Sequence, residues 1–186
     1  MVHYARRVVT VRPATFDDAA DIVRINVRGW QRAYVGIVPD DVLDAMDPTD
    51  RVDHYRRRMT EPGFEHRVAV DDRGRVTGYV VLGPYRGGPD GRLRERTVGE
   101  ILAIYVDPAR WGTGTGRALM RAALARLVER GFEAVRLWVL AANHQARRFY
   151  ELTGFAPDGT TAGYPVTRPD GSVVELDELR YARRLP

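Results

Sequence analysis

A strand, a glycine-rich turn and a helix follow one another between Val98 and Gly131, and this run constrains the fold more than any other. Val98–Val106 (VGEILAIYV) is apolar on both faces, the pattern of a strand buried inside a sheet. Trp111-Gly112-Thr113-Gly114-Thr115-Gly116 then turns the chain. Leu119, Met120, Ala123, Leu124, Leu127 and Val128 recur at helical spacing until Gly131 ends the run. A further strand, Ala134–Leu140, comes next, so the middle of the chain is a strand–helix–strand unit.

The flanks read as hairpins and short helices. Val8–Arg12 is a short strand, and Thr15 caps a helix with Asp18 in capping-box position. Ala19, Ile22, Val23, Val27 and Trp30 give that helix its apolar stripe. Pro39–Met46 and Thr49–Met59 are short helical stretches. Arg67–Val70 and Val76–Leu82 pair around the turn Asp71-Asp72-Arg73-Gly74. Gly83–Arg96 is a basic loop holding Arg86, Arg92, Arg94 and Arg96. Asn143 caps a helix that runs through Leu152 and stops at Gly154, and Val173–Leu185 is a last long strand after Pro169-Asp170-Gly171. With no repeat or linker, residues 1–186 read as one mixed α/β domain.

Composition removes whole classes of chemistry. There is no Cys, all 29 basic residues are Arg, and Ser172 is the single serine. That excludes thiolate nucleophiles, Cys-bound metals, Schiff-base lysines and the Walker-A lysine. Ser172 sits in no G-x-S-x-G, and His3, His54, His66 and His144 form no H-E-x-x-H, so neither a serine hydrolase nor a metal site is expected. No apolar run is long enough to span a membrane and no leader segment is evident, which points to a cytoplasmic protein. A net charge of +4 suits either a nucleic acid or a small polyanion, or is a plain consequence of an Arg-rich surface.

Glycines between a strand and a helix present backbone N–H groups and a positive dipole end to a phosphate. G-x-G-x-x-G fails here, because Arg117 or Leu119 occupies the third glycine slot, and the P-loop fails for lack of Lys. What remains is G-x-G-x-G. Arg117, a cation in the first helical turn, opposes the helix dipole unless an anion lies between them.

The stretch Gly99–Phe155 resembles the core of the GCN5-related N-acetyltransferase (GNAT) family. That family's turn reads Q/R-x-x-G-x-G/A, against Trp111-Gly112-Thr113-Gly114-Thr115-Gly116 here, with Trp111 in the Gln/Arg position. A second block, Asn143-x-x-Ala146-x-x-Phe149-Tyr150-Glu151-x-x-Gly154-Phe155, is similar to the family's N-x-x-A-x-x-x-Y-x-x-x-G-F. The opening VRPATFDDAADI also resembles the family's first strand and helix.

The resemblance implies a central mixed sheet with two splayed parallel strands, Val98–Val106 and Ala134–Leu140, flanked by helices, with acetyl-CoA between the strands. Its pantetheine arm would bond along Ile104, Tyr105 and Val106, and its pyrophosphate would rest on Gly112, Thr113, Gly114, Thr115, Gly116 and Arg117. A backbone N–H near Ile104–Val106 would polarise the thioester carbonyl. Asn143 would cap its helix and touch the pantetheine. Members generally transfer the acetyl group directly from CoA to an amine, without a Cys or a metal. The implied partner is a small-molecule or peptide amine, walled by Trp30, Tyr34 and the loop Val35–Pro39.

Direct transfer needs an acid for the departing thiolate and a base for the amine. Tyr150 matches the motif's Tyr and is the candidate acid. Glu100, a carboxylate inside an apolar strand, is the candidate base or else the partner of an Arg. Asp40, Asp41, Asp44, Asp47 and Asp50 form either an acidic rim that favours a cationic acceptor or simple helix starts. The C-terminal strand offers an edge at which two copies would pair as a homodimer. Two other functions stay open: a non-catalytic acyl-CoA-binding module, which needs neither Tyr150 nor Glu100, and an Arg-rich nucleic-acid binder, for which no motif is present.

Overall fold

A computed structural model of the chain describes residues 9–87 and 97–186. Met1, His3 and Val8, and Arg92, Arg94 and Arg96 of the basic loop, lie outside the described residues. The elements run β1 (Thr10–Pro13), α1 (Ala19–Ala33), α2 (Asp40–Asp44), α3 (Val52–Arg58), β2 (Glu65–Val70), β3 (Val76–Pro84), β4 (Val98–Val106), α4 (Thr115–Glu129), β5 (Ala134–Leu140), α5 (His144–Leu152), β6 (Ala156–Thr167) and β7 (Val173–Arg184). Short 3₁₀ turns precede α1, α3 and α4.

The strands form one seven-stranded sheet in the order β1-β2-β3-β4-β5-β7-β6. Every pairing is antiparallel except β4 with β5, which α4 joins as a parallel crossover. That parallel contact is short, with Val98, Gly99 and Glu100 opposite Ala134, Val135 and Arg136. Beyond it the two strands part, as the resemblance implied.

Two cores cover the two faces of the sheet. Ile22, Ile25 and Val27 of α1 pack with Val68, Tyr79 and Val81. On the other face Leu119, Met120 and Leu127 of α4 pack with Val80, Leu82, Ile101, Val135 and Leu137. Each of these fully buried aliphatic side chains contributes about 2 kcal/mol by leaving water. The start of α1 is pinned as its sequence suggests. Asp18 accepts from the Thr15 N–H at 2.7 Å and from Arg12 at 2.7 and 2.8 Å.

A bulge in β4 redirects the second half of that strand. Val81 faces Ala103 and Leu82 faces Ile101, so Leu102 has no opposite number on β3. Leu102 and Ala103 consequently both pack on the α1 side, whereas Ile101 and Ile104 pack on the α4 side.

Two expectations change. The segment after Phe155, to which no element was assigned, is the twelve-residue strand β6. Pro157, Gly159, Gly163 and Pro165 disguise it, and they are tolerated because β6 is an edge strand whose register skips between Pro157 and Thr161. The C-terminal strand β7 is no edge. It is paired with β5 on one side and β6 on the other, so the route to a homodimer through its free edge is closed. Among the described residues no helix is long and apolar enough to cross a membrane.

Candidate active site

Where β4 and β5 part, a cleft of about 770 Å³ opens through the sheet. One side is lined by Gly112, Gly114, Thr115, Gly116 and Arg117, by Asn143, and by Phe149 and Tyr150 of α5. The other side is lined by Trp30 and Tyr34 of α1, Glu100, Trp138, Tyr164 and Glu178. Residues Ile101–Val106 of β4 form the wall between them, without a β5 partner on that edge.

The glycine turn works through its backbone. Gly112 and Gly114 have φ of +74° and +91°, values that L side chains avoid, and Gly114 is the N-cap of α4. The first-turn N–H groups of α4 have no carbonyl one turn back, so they are free to meet an anion at the positive end of the helix. Arg117 is exposed at the same end and has no ion-pair partner among the described residues. This donor set fits a pyrophosphate.

Two neighbours of the turn have other work. Trp111, in the Gln/Arg position of the motif, donates its indole N–H to the Val106 carbonyl at 3.0 Å and ties the turn to β4. Arg110 reaches away to Asp71 at 2.7 Å. Thr113 does not line the cleft. Its hydroxyl donates to the Arg110 carbonyl at 2.7 Å and lies 3.0 Å from the Thr115 hydroxyl, bracing the turn.

Asn143 caps α5, its side-chain oxygen accepting from the Ala146 N–H at 3.1 Å. Tyr150, two turns further on, packs edge-on against Phe149 and Phe155. Its hydroxyl makes no hydrogen bond within the described residues. Burial, with Tyr105 nearby, pushes its pKa well above that of an ordinary phenol, so it holds its proton.

On the far side the aromatic residues form a wall. Trp30 and Tyr34 meet edge to face at 4.9 Å, and Trp30 lies 6.2 Å from Tyr164. Tyr105, expected to act through its backbone, also has a side-chain role. Its hydroxyl accepts from the Trp30 indole at 3.0 Å and lies 3.2 Å from the Tyr34 hydroxyl. Burial raises the pKa of Tyr34 as well.

Glu100 is 2% exposed, and of the two roles left open for it the ion pair is the one that the geometry displays. Arg86 donates from Nε at 3.1 Å and Nη2 at 3.0 Å, and the Arg86 backbone N–H adds a third bond at 3.1 Å. The acids after Tyr34 are used locally. Asp47 accepts from Thr49, Asp41 pairs with Arg168, and none of Asp40, Asp41, Asp44, Asp47 and Asp50 lines the cleft.

Trp138, Tyr164 and Glu178 are cleft residues that sequence reasoning missed. Tyr164 lies in the disguised strand β6. Glu178 stands opposite Leu140 on β5 and Ala162 on β6. In the sequence it is one of several acids along Val173–Leu185, with nothing local to mark it.

The comparisons with known proteins agree with this geometry. A model of the family described as "Acetyltransferase (GNAT) family" matches residues 29–155. The chain is 33% identical over 135 residues to YuaI, an uncharacterized N-acetyltransferase of Bacillus subtilis (strain 168), covering 73% of each chain. It is 32% identical over 157 residues to a mycothiol acetyltransferase of Amycolatopsis mediterranei (strain U-32), covering 83% of this chain but only 48% of that protein. Among solved structures, a GCN5-related N-acetyltransferase from Kribbella flavida superposes with a TM-score of 0.67 at 28% identity, covering 95% of this chain and 98% of that one. The PaiA N-acetyltransferase of Thermoplasma acidophilum, solved with coenzyme A, shares the fold at a TM-score of 0.70 and 16% identity, over 95% and 99%. The family match begins at the α1 wall of the cleft and ends just past Tyr150, so it spans both sides of the parted strands: this chain belongs to the GNAT family of acetyltransferases.

Proposed function

We propose that the protein is an acetyl-CoA-dependent N-acetyltransferase, a single cytoplasmic domain whose acceptor is a primary amine of a small molecule or peptide. The observation that carries this is the cleft through the sheet. It has a glycine-capped helix terminus on one face and aromatic and carboxylate side chains on the other. Two substrates entering from opposite faces meet at the bared edge of β4.

In this reading acetyl-CoA supplies an acetyl group activated as a thioester. Gly112, Gly114, Thr115, Gly116 and Arg117 hold its pyrophosphate, with Thr113 bracing the turn, and Ile104–Val106 with Asn143 hold the pantetheine arm. An N–H of that same β4 edge faces the carbonyl oxygen as an oxyanion donor. Tyr150, kept protonated by burial, gives its proton to the departing sulfur. Trp30, Tyr34 and Tyr164 wall the acceptor, and Glu100 anchors Arg86 beside it. The relative named for mycothiol and the neighbours solved as N-acetyltransferases are consistent with small or peptide amines as the acceptor class.

A nucleic-acid surface is disfavoured by pairing. Arg12, Arg24, Arg28, Arg126, Arg130 and Arg180 are each engaged with a carboxylate, which leaves less free charge than the sequence suggests. The test is thiol release from acetyl-CoA with a panel of amino acids, polyamines, arylamines and short peptides. Release that depends on the amine supports the enzyme. Tight acetyl-CoA binding without release from any amine would instead make the protein a binding module.

A further inference from the structure

Glu178 differs from every other carboxylate at the cleft. It projects from β7 between Leu140 of β5 and Ala162 of β6, lines the cleft and is half-buried, and no described side chain donates a hydrogen bond to it. The groups around it are few. Arg86 and Glu100 approach from the β3–β4 side and Tyr164 from β6, while Trp30 of α1 and Tyr34 just after it line the same cleft. Leu140 stands opposite it on β5, and Trp138 of β5 and Tyr150 of α5 line the same cleft. Arg180, the nearest cation on its own strand, is committed to Asp158 at 2.7 Å and to the Tyr85 hydroxyl at 2.9 Å.

Among the described residues one guanidinium, that of Arg86, therefore acts on both carboxylates, and Glu100 takes it with three hydrogen bonds. Glu178 is left with the residual attraction of Arg86, the repulsion of Glu100 and an apolar aromatic surround. We propose that Glu178 is the group that takes the proton from the acceptor amine. The proposal rests on the acetyltransferase reading above and deepens it.

The chemistry is set by the environment. Burial, with Glu100 adding to it against the pull of Arg86, pushes the Glu178 carboxyl up to about 7. A base of that strength is about half ionised near neutral pH, and its ionised form is basic enough to compete for an ammonium proton. The carboxylate first attracts the cationic amine into the aromatic pocket. One N–H bond of the ammonium then breaks as an O–H bond forms on Glu178, and the nitrogen lone pair is freed. That pair forms the C–N bond to the acetyl carbonyl carbon while the C–S bond breaks. A second N–H proton makes up the one that Tyr150 gives to sulfur, and Glu178 returns its own proton to solvent. The net result is one amide, one thiol and one released proton.

The test uses the full chain and whichever aliphatic amine of the panel gives the fastest thiol release. For Glu178→Gln the expected result is a loss of about 100-fold in kcat/KM near neutral pH. That loss should shrink as alkaline pH deprotonates the amine in solution, while acetyl-CoA affinity by calorimetry stays unchanged. Glu178→Asp, which keeps the charge, should retain the rising limb of the wild-type pH profile at a lower rate. It also serves as the second variant if Glu178→Gln does not fold. A Gln or Asp variant with the wild-type rate and profile would overturn the assignment, and so would an Asp variant that folds but has lost the rising limb. A wild type that releases no thiol with any amine overturns the acetyltransferase reading itself, a result distinguishable from either.

Discussion

Arg86 and Glu100 form an ion pair, buried on the glutamate side, in which the arginine contributes both its side chain and its own backbone N–H, at 3.0 to 3.1 Å. The hydrogen bonds to Glu100 raise the Arg86 pKa and hold its guanidinium charged. Because Arg86 directly follows Tyr85, the contact also fixes the chain where it leaves β3.

Arg86→Ala should leave Glu100 as a buried charge without its counter-ion. The expected cost is about 2 kcal/mol, towards the low end for such a loss because Arg86 is itself half exposed. The double variant Arg86→Ala/Glu100→Gln should recover most of it. Urea midpoints for the wild type, both singles and the double check the prediction. A double variant no more stable than Arg86→Ala would refute it.

Tyr150→Phe removes one oxygen from a helix residue that makes no side-chain hydrogen bond within the described residues. Stability should hardly change, whereas kcat should fall about 100-fold if the hydroxyl supplies a proton. Acetyl-CoA affinity should hold, which calorimetry reads separately from turnover.

Gly114→Ala forces a Cβ into a left-handed backbone at φ +91°. The strain is about 1–2 kcal/mol, and relaxing it would turn the first-turn N–H groups away from their common focus. Acetyl-CoA affinity should therefore weaken by about tenfold, while the thermal midpoint falls only modestly.

His66 offers a prediction unrelated to the cleft. Its Nδ1 lies 2.7 Å from the Tyr55 hydroxyl, and burial, aided by Arg58, pushes its pKa down. The folded state thus binds fewer protons than the unfolded chain once pH drops through the unfolded value of about 6.5. Stability should fall as pH is lowered from there towards the depressed folded pKa, and be flat above it. Denaturation midpoints across that window test this, with His66→Gln expected to flatten the slope.

Much of the fold could be read from residue order. β4, β5 and the helix after Asn143 lie where their periodicity and caps put them, because each is strongly patterned and locally terminated. The glycine-turn side of the cleft was legible for the same reason: Gly112, Gly114 and Asn143 owe their places to the local backbone turn and caps. The opposite side of the cleft was not. Tyr164 and Glu178 reach the cleft only through long-range pairing of β6 and β7, and no short-range rule encodes that. The Glu100 carboxylate was visible as an anomaly in an apolar strand, but its partner Arg86 lies fourteen positions away in a loop with several arginines.

The β6–β7 hairpin is attached to the sheet through β7 alone, yet it brings Tyr164 and Glu178 to the cleft. Among the described residues the glycine turn takes no hydrogen bond from it, although Tyr181 of β7 shares the core under α4 and the Asp177 carbonyl accepts from the Ala141 N–H at 2.8 Å, just before Asn143. Substitutions at the cleft-facing positions Tyr164 and Glu178 can therefore reshape that side of the cleft without touching Gly112, Gly114 or Asn143, whereas a change at Tyr181 would reach the core under α4.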